Sequence, residues 1–480
     1  MVSTRSDPCA IVGADSGRDG VGRFDPGGYE RFAYTSVTTD AATGTISCAY
    51  RLEGHAGAIA FVERFVVGPV PADVWDGPTG GALRRVARLL WLAAGLSYYK
   101  TAAPARVMLS TALTGAERTW LEALYREGLG EFAFTNGVDL SQRPVVEASV
   151  AAAPPPLTGL RLPRRSLVPV GGGKDSCVTI DVLQSAGDDV VLWNVGGHRA
   201  ARDVAAACRL PLVIAERTLD PQLEQLNEDG ALNGHVPVTA IVSLAAVAQA
   251  LVTGADQVVF SNERSANVAN FTHNGLPVNH QYSKGLAAEG QLRAVLAEVT
   301  GELDCFSLLR PLSELQIARI FARSERFLSV FTSCNAAFRL DERRRIDRWC
   351  GNCPKCRFVF LALAPFVDRP RLIAVFGADL LADPSQLAGY RALLGLVGHR
   401  PFECVGEIEE SQAALQLIAA GEQWVSSPLV RQLADELAEA GVAVSDAAVA
   451  AIMAPSTEHF VPAPALRALG DALEPVSHAS

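Results

Sequence analysis

In the first third of the chain, apolar and polar positions alternate over short runs, FAYTSVTT, TISCAYRL and AIAFVERFVV, as they do in strands with one buried face. ALRRVARLLWLAAGLSYYK and AERTWLEALYREG instead place apolar residues three and four apart, which predicts amphipathic helices. This part reads as an α+β unit. The stretch ASVAAAPPPLTG, from Ala148, is stiff and poor in core-forming side chains, so it reads as a linker closing a first domain at residues 1–158. Beyond it the pattern alternates: SLVPV, a helix from about Asp175, VVLWNV, a helical RAARDVAAAC, PLVIAE, a long apolar helix from Thr239, and DQVVF. Short apolar runs separated by helices predict right-handed βαβ units and a parallel, doubly wound sheet over residues 159–369, with ligands at the carboxyl ends of its strands. From Pro370 the chain turns helical and Ala/Leu-rich, with a loop HRPFECVG beginning at His399, so residues 370–480 form a mostly helical C-terminal region whose last part, 457–480, reads as partly frayed. The expected fold class is therefore α/β, with an α+β domain before the central domain and a helical one after it. No internal repeat is present.

Composition narrows the setting. With 480 residues, 49% of them hydrophobic and 20% charged, the chain can bury two or three ordinary cores. Its start, MVSTRSDPCAIVGADSGRDG, lacks the basic region and apolar run of a secretory signal. The longest apolar stretch, residues 240–252, is interrupted by Ser243 and Gln249 and is too short to cross a bilayer. A cytoplasmic location with no membrane partner is expected, where ten cysteines imply metal or buried thiols rather than disulfides. The net charge of -10 argues against a nucleic-acid partner but leaves room for a small anionic substrate in a local basic pocket. Of 42 Lys plus Arg, the only lysines are Lys100, Lys174, Lys284 and Lys355. A chain that uses arginine for generic positive charge keeps lysine where a compact ammonium able to shift its pKa is required. On that ground Lys100 is expected to contact substrate or phosphate across a domain interface. Nothing in the sequence sets an oligomeric state.

The strongest motif, Gly171-Gly172-Gly173-Lys174-Asp175-Ser176, lies between a strand and a helix, where flexible backbone and the positive end of the helix receive phosphates. A Walker A loop would need Gly at 168 and Ser or Thr at 175, where Val168 and Asp175 stand; a dinucleotide fingerprint would need glycine in place of Ser176. The loop resembles the PP-loop of the N-type ATP pyrophosphatases, usually SGGxDS, with Gly171 replacing the first serine. That resemblance implies that Gly171, Gly172, Gly173, Lys174 and Ser176 hold the phosphates of ATP, with Asp175 at Mg²⁺. Asn194, at the end of VVLWNV, is a further nucleotide-side candidate.

After DQVVF, an asparagine-rich loop follows a parallel strand and should face the nucleotide. Its candidates for a polar, multi-oxygen substrate are Asn262, Glu263, Arg264, Ser265, Asn267, Asn279, His280, Gln281, Tyr282 and Lys284. Further on, Cys334 with Cys350-Gly-Asn-Cys353-Pro-Lys-Cys356 has the spacing of a closed tetrahedral zinc site; reduced thiols and an iron–sulfur cluster are the alternatives, the latter disfavoured by Phe360 where a ferredoxin run has cysteine.

Taken together, PVGGGKDS, SNERSANVANF, VNHQYSK, CGNCPKCRFVFLALAPF and GHRPFECVGE resemble the UDP-N-acetylmuramoyl-L-alanyl-L-glutamate epimerases of the MurL type, and LAAGLSYYKTAAP, ALYREGLGEFAFTNGVDL and VFGADLLAD extend the likeness over nearly the whole chain. The resemblance implies ATP-dependent inversion of the terminal L-Glu of UDP-MurNAc-L-Ala-L-Glu, a small-molecule substrate, with AMP and pyrophosphate released. A Cα proton beside a carboxylate is very weakly acidic; an acyl adenylate removes the charge and stabilises the enolate. Lys174 and Asp175 would serve the activation, and Lys284, His280, Glu263 and Cys404 are the candidates for moving the proton. Competing readings are a PP-loop ligase passing the same adenylate to ammonia or an amine, an RNA-modifying enzyme of thiolase or lysidine type, and a nucleotide sensor without catalysis.

Overall fold

The computed structural model describes residues 24–141, 144–273, 275–338, 343, 345–398, 401 and 403–474. The expectations for the first twenty residues, for His399 at the start of its loop and for residues 475–480 lie outside them.

Twelve strands are described: β1 (Arg31–Asp40), β2 (Thr45–Gly54), β3 (Gly57–Val66), β4 (Arg106–Leu109), β5 (Val145–Glu147), β6 (Ser166–Pro169), β7 (Val190–Val195), β8 (Leu212–Thr218), β9 (Gln257–Phe260), β10 (Phe271–His273), β11 (Leu276–Val278) and β12 (Asp304–Ser307). Ten form one sheet in the order β12-β9-β6-β7-β8-β3-β2-β1-β4-β5. From β12 to β8 every pairing is parallel, as the alternating strand and helix pattern predicts. β6, β7 and β9 are buried almost throughout, the consequence of helices on both faces. The first three strands form antiparallel ladders in which buried and open positions alternate, clearest along β2.

The two halves meet edge to edge. β3 pairs antiparallel with β8, Phe65 opposite Arg217, so the sheet continues across the boundary read at residue 158. At this seam the Arg217 guanidinium donates to the Glu63 carboxylate at 2.5 Å, with Glu63 wholly buried, and to Ser97 Oγ at 3.1 Å. Core side chains divide by face. One cluster joins Phe32, Tyr34, Tyr50, Trp91 and Tyr125 to the apolar helix Val238–Thr253; the other joins the helix Lys174–Ser185 to the cysteine-rich segment and the C-terminal helices. Among the described residues no helix is long and apolar enough to cross a membrane. The asparagine-rich stretch, read as a loop, also carries the short hairpin β10–β11, whose Phe271 and His273 rings pack edge-on against Phe134.

Candidate active site

Parallel strands end at one edge, so the segments after β6, β7, β9 and β12 converge there, and the order in which strands are added reverses between β6 and β9, where such sheets hold ligands. The glycine loop follows β6. Gly172 has φ +96°, and a Cβ there would lie 2.4 Å from the Ala200 methyl; a Cβ on Gly173 would lie 2.8 Å from Ser333 Oγ. Gly171 faces open space. Gly173 caps the helix Lys174–Ser185 without any side-chain cap bond, so the first amides of this helix point outward from the loop as anion donors. The Ser176 hydroxyl donates to the Gly173 carbonyl at 2.9 Å. Asn194 braces the loop from β7: its amide donates to the Val170 carbonyl at 2.7 Å and its oxygen accepts the His198 N–H.

Lys174 is almost fully buried, and its ammonium is bonded to the carboxylates of Asp175 and Glu314. Burial works against both charges of the adjacent pair, but the mutual attraction wins: Lys174 is raised, and Asp175 is lowered by Lys174 and by the more distant Lys355 and Lys284. Three of the four lysines thus act on Asp175. Glu314 was not visible in the sequence, where it is an ordinary acid in the first turn of a helix with a Ser313–Gln316 capping box.

A second group of charges is assembled from four distant segments. Lys284 Nζ donates to Cys404 Sγ at 3.0 Å, His280 hydrogen-bonds the same thiol and pairs with Glu131, and Lys355 Nζ donates to the Cys404 carbonyl. Burial would raise the thiol, yet Lys284, His280 and Lys355 bring it down to about 6. Burial would likewise lower His280, but Cys404 and Glu131 hold it up at about 9. The ring of His235 lies 4.4 Å from that of His280 and is driven down to about 4, first by burial and then by this neighbour. Gln281, 2% exposed, has both amide atoms without a protein partner. Farther along, Lys100 donates to Asn233 and to the Gly234 carbonyl, and burial lowers it to about 8.

Several other residues of the asparagine-rich stretch direct their polar atoms to the protein itself. Asn262 donates to Ser307 Oγ at 2.9 Å, Asn267 accepts the Leu286 N–H, Asn279 donates to the Ala266 carbonyl, and the Tyr282 hydroxyl donates to Gln291. Arg264 reaches the carbonyls of Ile452 and Ala454, fastening the stretch to the C-terminal region. Ser265 donates to the buried Glu263 carboxylate at 3.4 Å. The organiser is Arg310, wholly buried, which pairs with Glu289 at 3.0 Å and donates to the carbonyls of Glu263 (2.6 Å) and Lys284.

Cys334, Cys350, Cys353 and Cys356 come together as the spacing predicts. Their sulfurs lie 3.9, 3.7 and 3.5 Å apart in the pairs 334–353, 350–356 and 353–356. A zinc tetrahedron with Zn–S near 2.3 Å has edges of about 3.8 Å, so this nest fits the ion without rearrangement. Backbone N–H groups of Cys350, Asn352 and Cys356 point at the sulfurs of Cys334, Cys350 and Cys353, as charged thiolates require.

Comparison with known proteins agrees with this architecture. The family models for the MurL N-terminal domain and the MurL C-terminal domain match residues 23–308 and 330–448. Proteins named UDP-N-acetyl-alpha-D-muramoyl-L-alanyl-L-glutamate epimerase from a Micromonospora species and from Salinispora tropica are each 46% identical to the chain, over 92% of it and 98% of the former and over 93% of it and 97% of the latter. The protein of the same name from Xanthomonas oryzae pv. oryzae is 41% identical over 92% of the chain and 97% of its own length.

Proposed function

Since the chain belongs to the MurL family, we propose that it is an enzyme that epimerises the terminal L-Glu of UDP-MurNAc-L-Ala-L-Glu to D-Glu, supplying a peptidoglycan precursor, and that it uses ATP to do so. The names of three relatives matched over nearly their whole length support the epimerase. One observation carries the ATP part: a strand-to-helix glycine loop at the carboxyl edge, with uncapped helix amides beside a buried lysine. There the amides of Gly172 and Gly173, Lys174 and Ser176 would hold the phosphates, and Asp175 would hold Mg²⁺. The substrate carboxylate would attack the α-phosphorus, pyrophosphate would leave, and the resulting adenylate would lose and regain its Cα proton before hydrolysis. On binding, phosphate oxygens would take over Lys174 from Glu314. The four cysteines would hold a structural Zn²⁺ that takes no part in the reaction. Both ATP and a UDP-sugar are cytoplasmic metabolites, which supports the cytoplasmic reading.

With substrate, ATP and Mg²⁺ in D₂O, the product should be D-Glu carrying deuterium at Cα, with AMP and pyrophosphate formed only when the acyl substrate is present. Lys174→Ala should lower turnover strongly while leaving the melting temperature measurable. Release of ADP and phosphate would exclude the pyrophosphatase chemistry. Retained L configuration with no deuterium, despite pyrophosphate release, would exclude the epimerase and leave a ligase-type adenylation.

A further inference from the structure

Resting on the epimerase reading, we infer that Cys404 is the base that removes the Cα proton on one face of the activated glutamate, held as a thiolate by Lys284 and His280. The four proton-transfer candidates of the sequence are not equivalent in the fold. Lys284 donates to Cys404 at 3.0 Å and also feels the buried Glu263, so it stays an ammonium with no lone pair to offer. His280 is fastened between Glu131 and Cys404 and stays an imidazolium. Glu263 accepts from Ser265 and faces the Lys284 charge. Cys404 alone combines partial exposure with a free electron pair near neutral pH.

The groups facing its sulfur or its backbone come from several segments. Lys284 and His280 belong to the segment after β11, Lys355 to the helix Pro354–Leu363, Glu403 is its chain neighbour, and Glu131 stands behind His280. Three cations against two carboxylates favour the anion. Asp175 of the phosphate loop is felt by both Lys284 and Lys355, so the thiolate sits within electrostatic range of where the adenylate would form. Gln281, buried with an unpartnered amide beside His280, provides polar capacity for substrate on the same segment.

In the step, the sulfur electron pair forms an S–H bond with the Cα proton and the C–H pair moves into the enolate of the acyl adenylate. Because Lys284 and His280 both bond Cys404, all three serve the same face. The proton that completes inversion therefore comes from a group outside this cluster, and solvent exchange resets both groups.

Two measurements test this. The rate of Cys404 alkylation by iodoacetamide, followed by peptide mass spectrometry on the intact enzyme, should have its pH midpoint near 6, moving up toward the ordinary thiol value of about 8.5 in Lys284→Met. In Cys404→Ala, or Cys404→Ser should that variant fold better, deuterium wash-in with ATP should fall by about 10²–10⁴-fold from one epimer and persist from the other. ATP–pyrophosphate exchange monitors activation separately. A wild-type midpoint near that of a free thiol, or wash-in that is lost from both epimers or from neither while that exchange continues, overturns the assignment. A wild-type enzyme showing no ATP–pyrophosphate exchange, or no wash-in from either epimer, instead overturns the epimerase reading on which it rests.

Discussion

The carboxylate of Glu410 accepts the backbone N–H of Glu314 at 2.8 Å, which puts two buried acids side by side next to the lysine that follows the glycine loop. Burial, then repulsion from Glu314, pushes Glu410 up to about 8. The folded chain therefore keeps a proton there that the unfolded chain loses near 4.5, and this stabilising contribution, complete below about 4.5, disappears as pH rises through about 8. Stability should fall across that window with a slope from this group of at most about 1.4 kcal/mol per pH unit. Urea midpoints of wild type and Glu410→Gln compared from mildly acidic to mildly alkaline pH check it; equal slopes would dismiss Glu410 as the source.

Lys100 presents the opposite sign. Its folded value of about 8 lies below the 10.5 of an exposed lysine because it is buried, and among the described residues no carboxylate pairs with it. The charged form costs stability near neutral pH. Lys100→Met should therefore raise stability by about 1–3 kcal/mol while weakening substrate binding, and Lys100→Arg should lose activity although charge is kept, since a planar fork does not fit a site built for an ammonium. Wild-type kinetics in Lys100→Arg would leave the lysine a purely structural role.

Protein purified without added metal should contain one zinc per chain by elemental analysis. Cys→Ser at 334, 350, 353 or 356 should lower the melting temperature, because the thiolates would close on the metal and the second core is built around them. A metal-free protein of full stability would rule the site out.

Arg310→Leu should cost about 3–5 kcal/mol, the consequence of leaving Glu289 buried without its partner. It should also loosen the carbonyls of Glu263 and Lys284, which Arg310 holds together. Chemical denaturation measures the first effect, and a higher pH midpoint of Cys404 alkylation reports the second.

The local geometry encoded by neighbours in sequence was legible before the fold. Gly172, Gly173 and Lys174 announce a strand-to-helix glycine turn because it depends on local backbone, and Cys350, Cys353 and Cys356 announce a nest because their spacing is its geometry. Glu131, His235, Glu314 and Arg310 carried no such mark. Each is a single polar residue in an unremarked segment, and its meaning arises from a partner brought close by the sheet, as with Glu131 and His280, 149 positions apart. Residue type alone also did not tell which polar atoms the protein itself engages: Asn279 bonds the local backbone, Arg264 the C-terminal region and Tyr282 the Gln291 side chain. The parallel strands were legible from alternation, but the meeting of β3 with β8 was not, since composition reports the stiffness of a linker and not which edges join across it.

That meeting has a consequence for synthesis of the chain. Glu63 and Arg217, which pair across the seam, are 154 positions apart, so at about 5–20 residues per second β3 leaves the ribosome roughly 8–30 s before its neighbour exists. Throughout that interval the first three strands present an open edge along β3 to other nascent chains. Glu63, buried in the finished protein, is then a solvated negative charge on the waiting edge, where it discourages pairing with a stranger until Arg217 arrives to neutralise it.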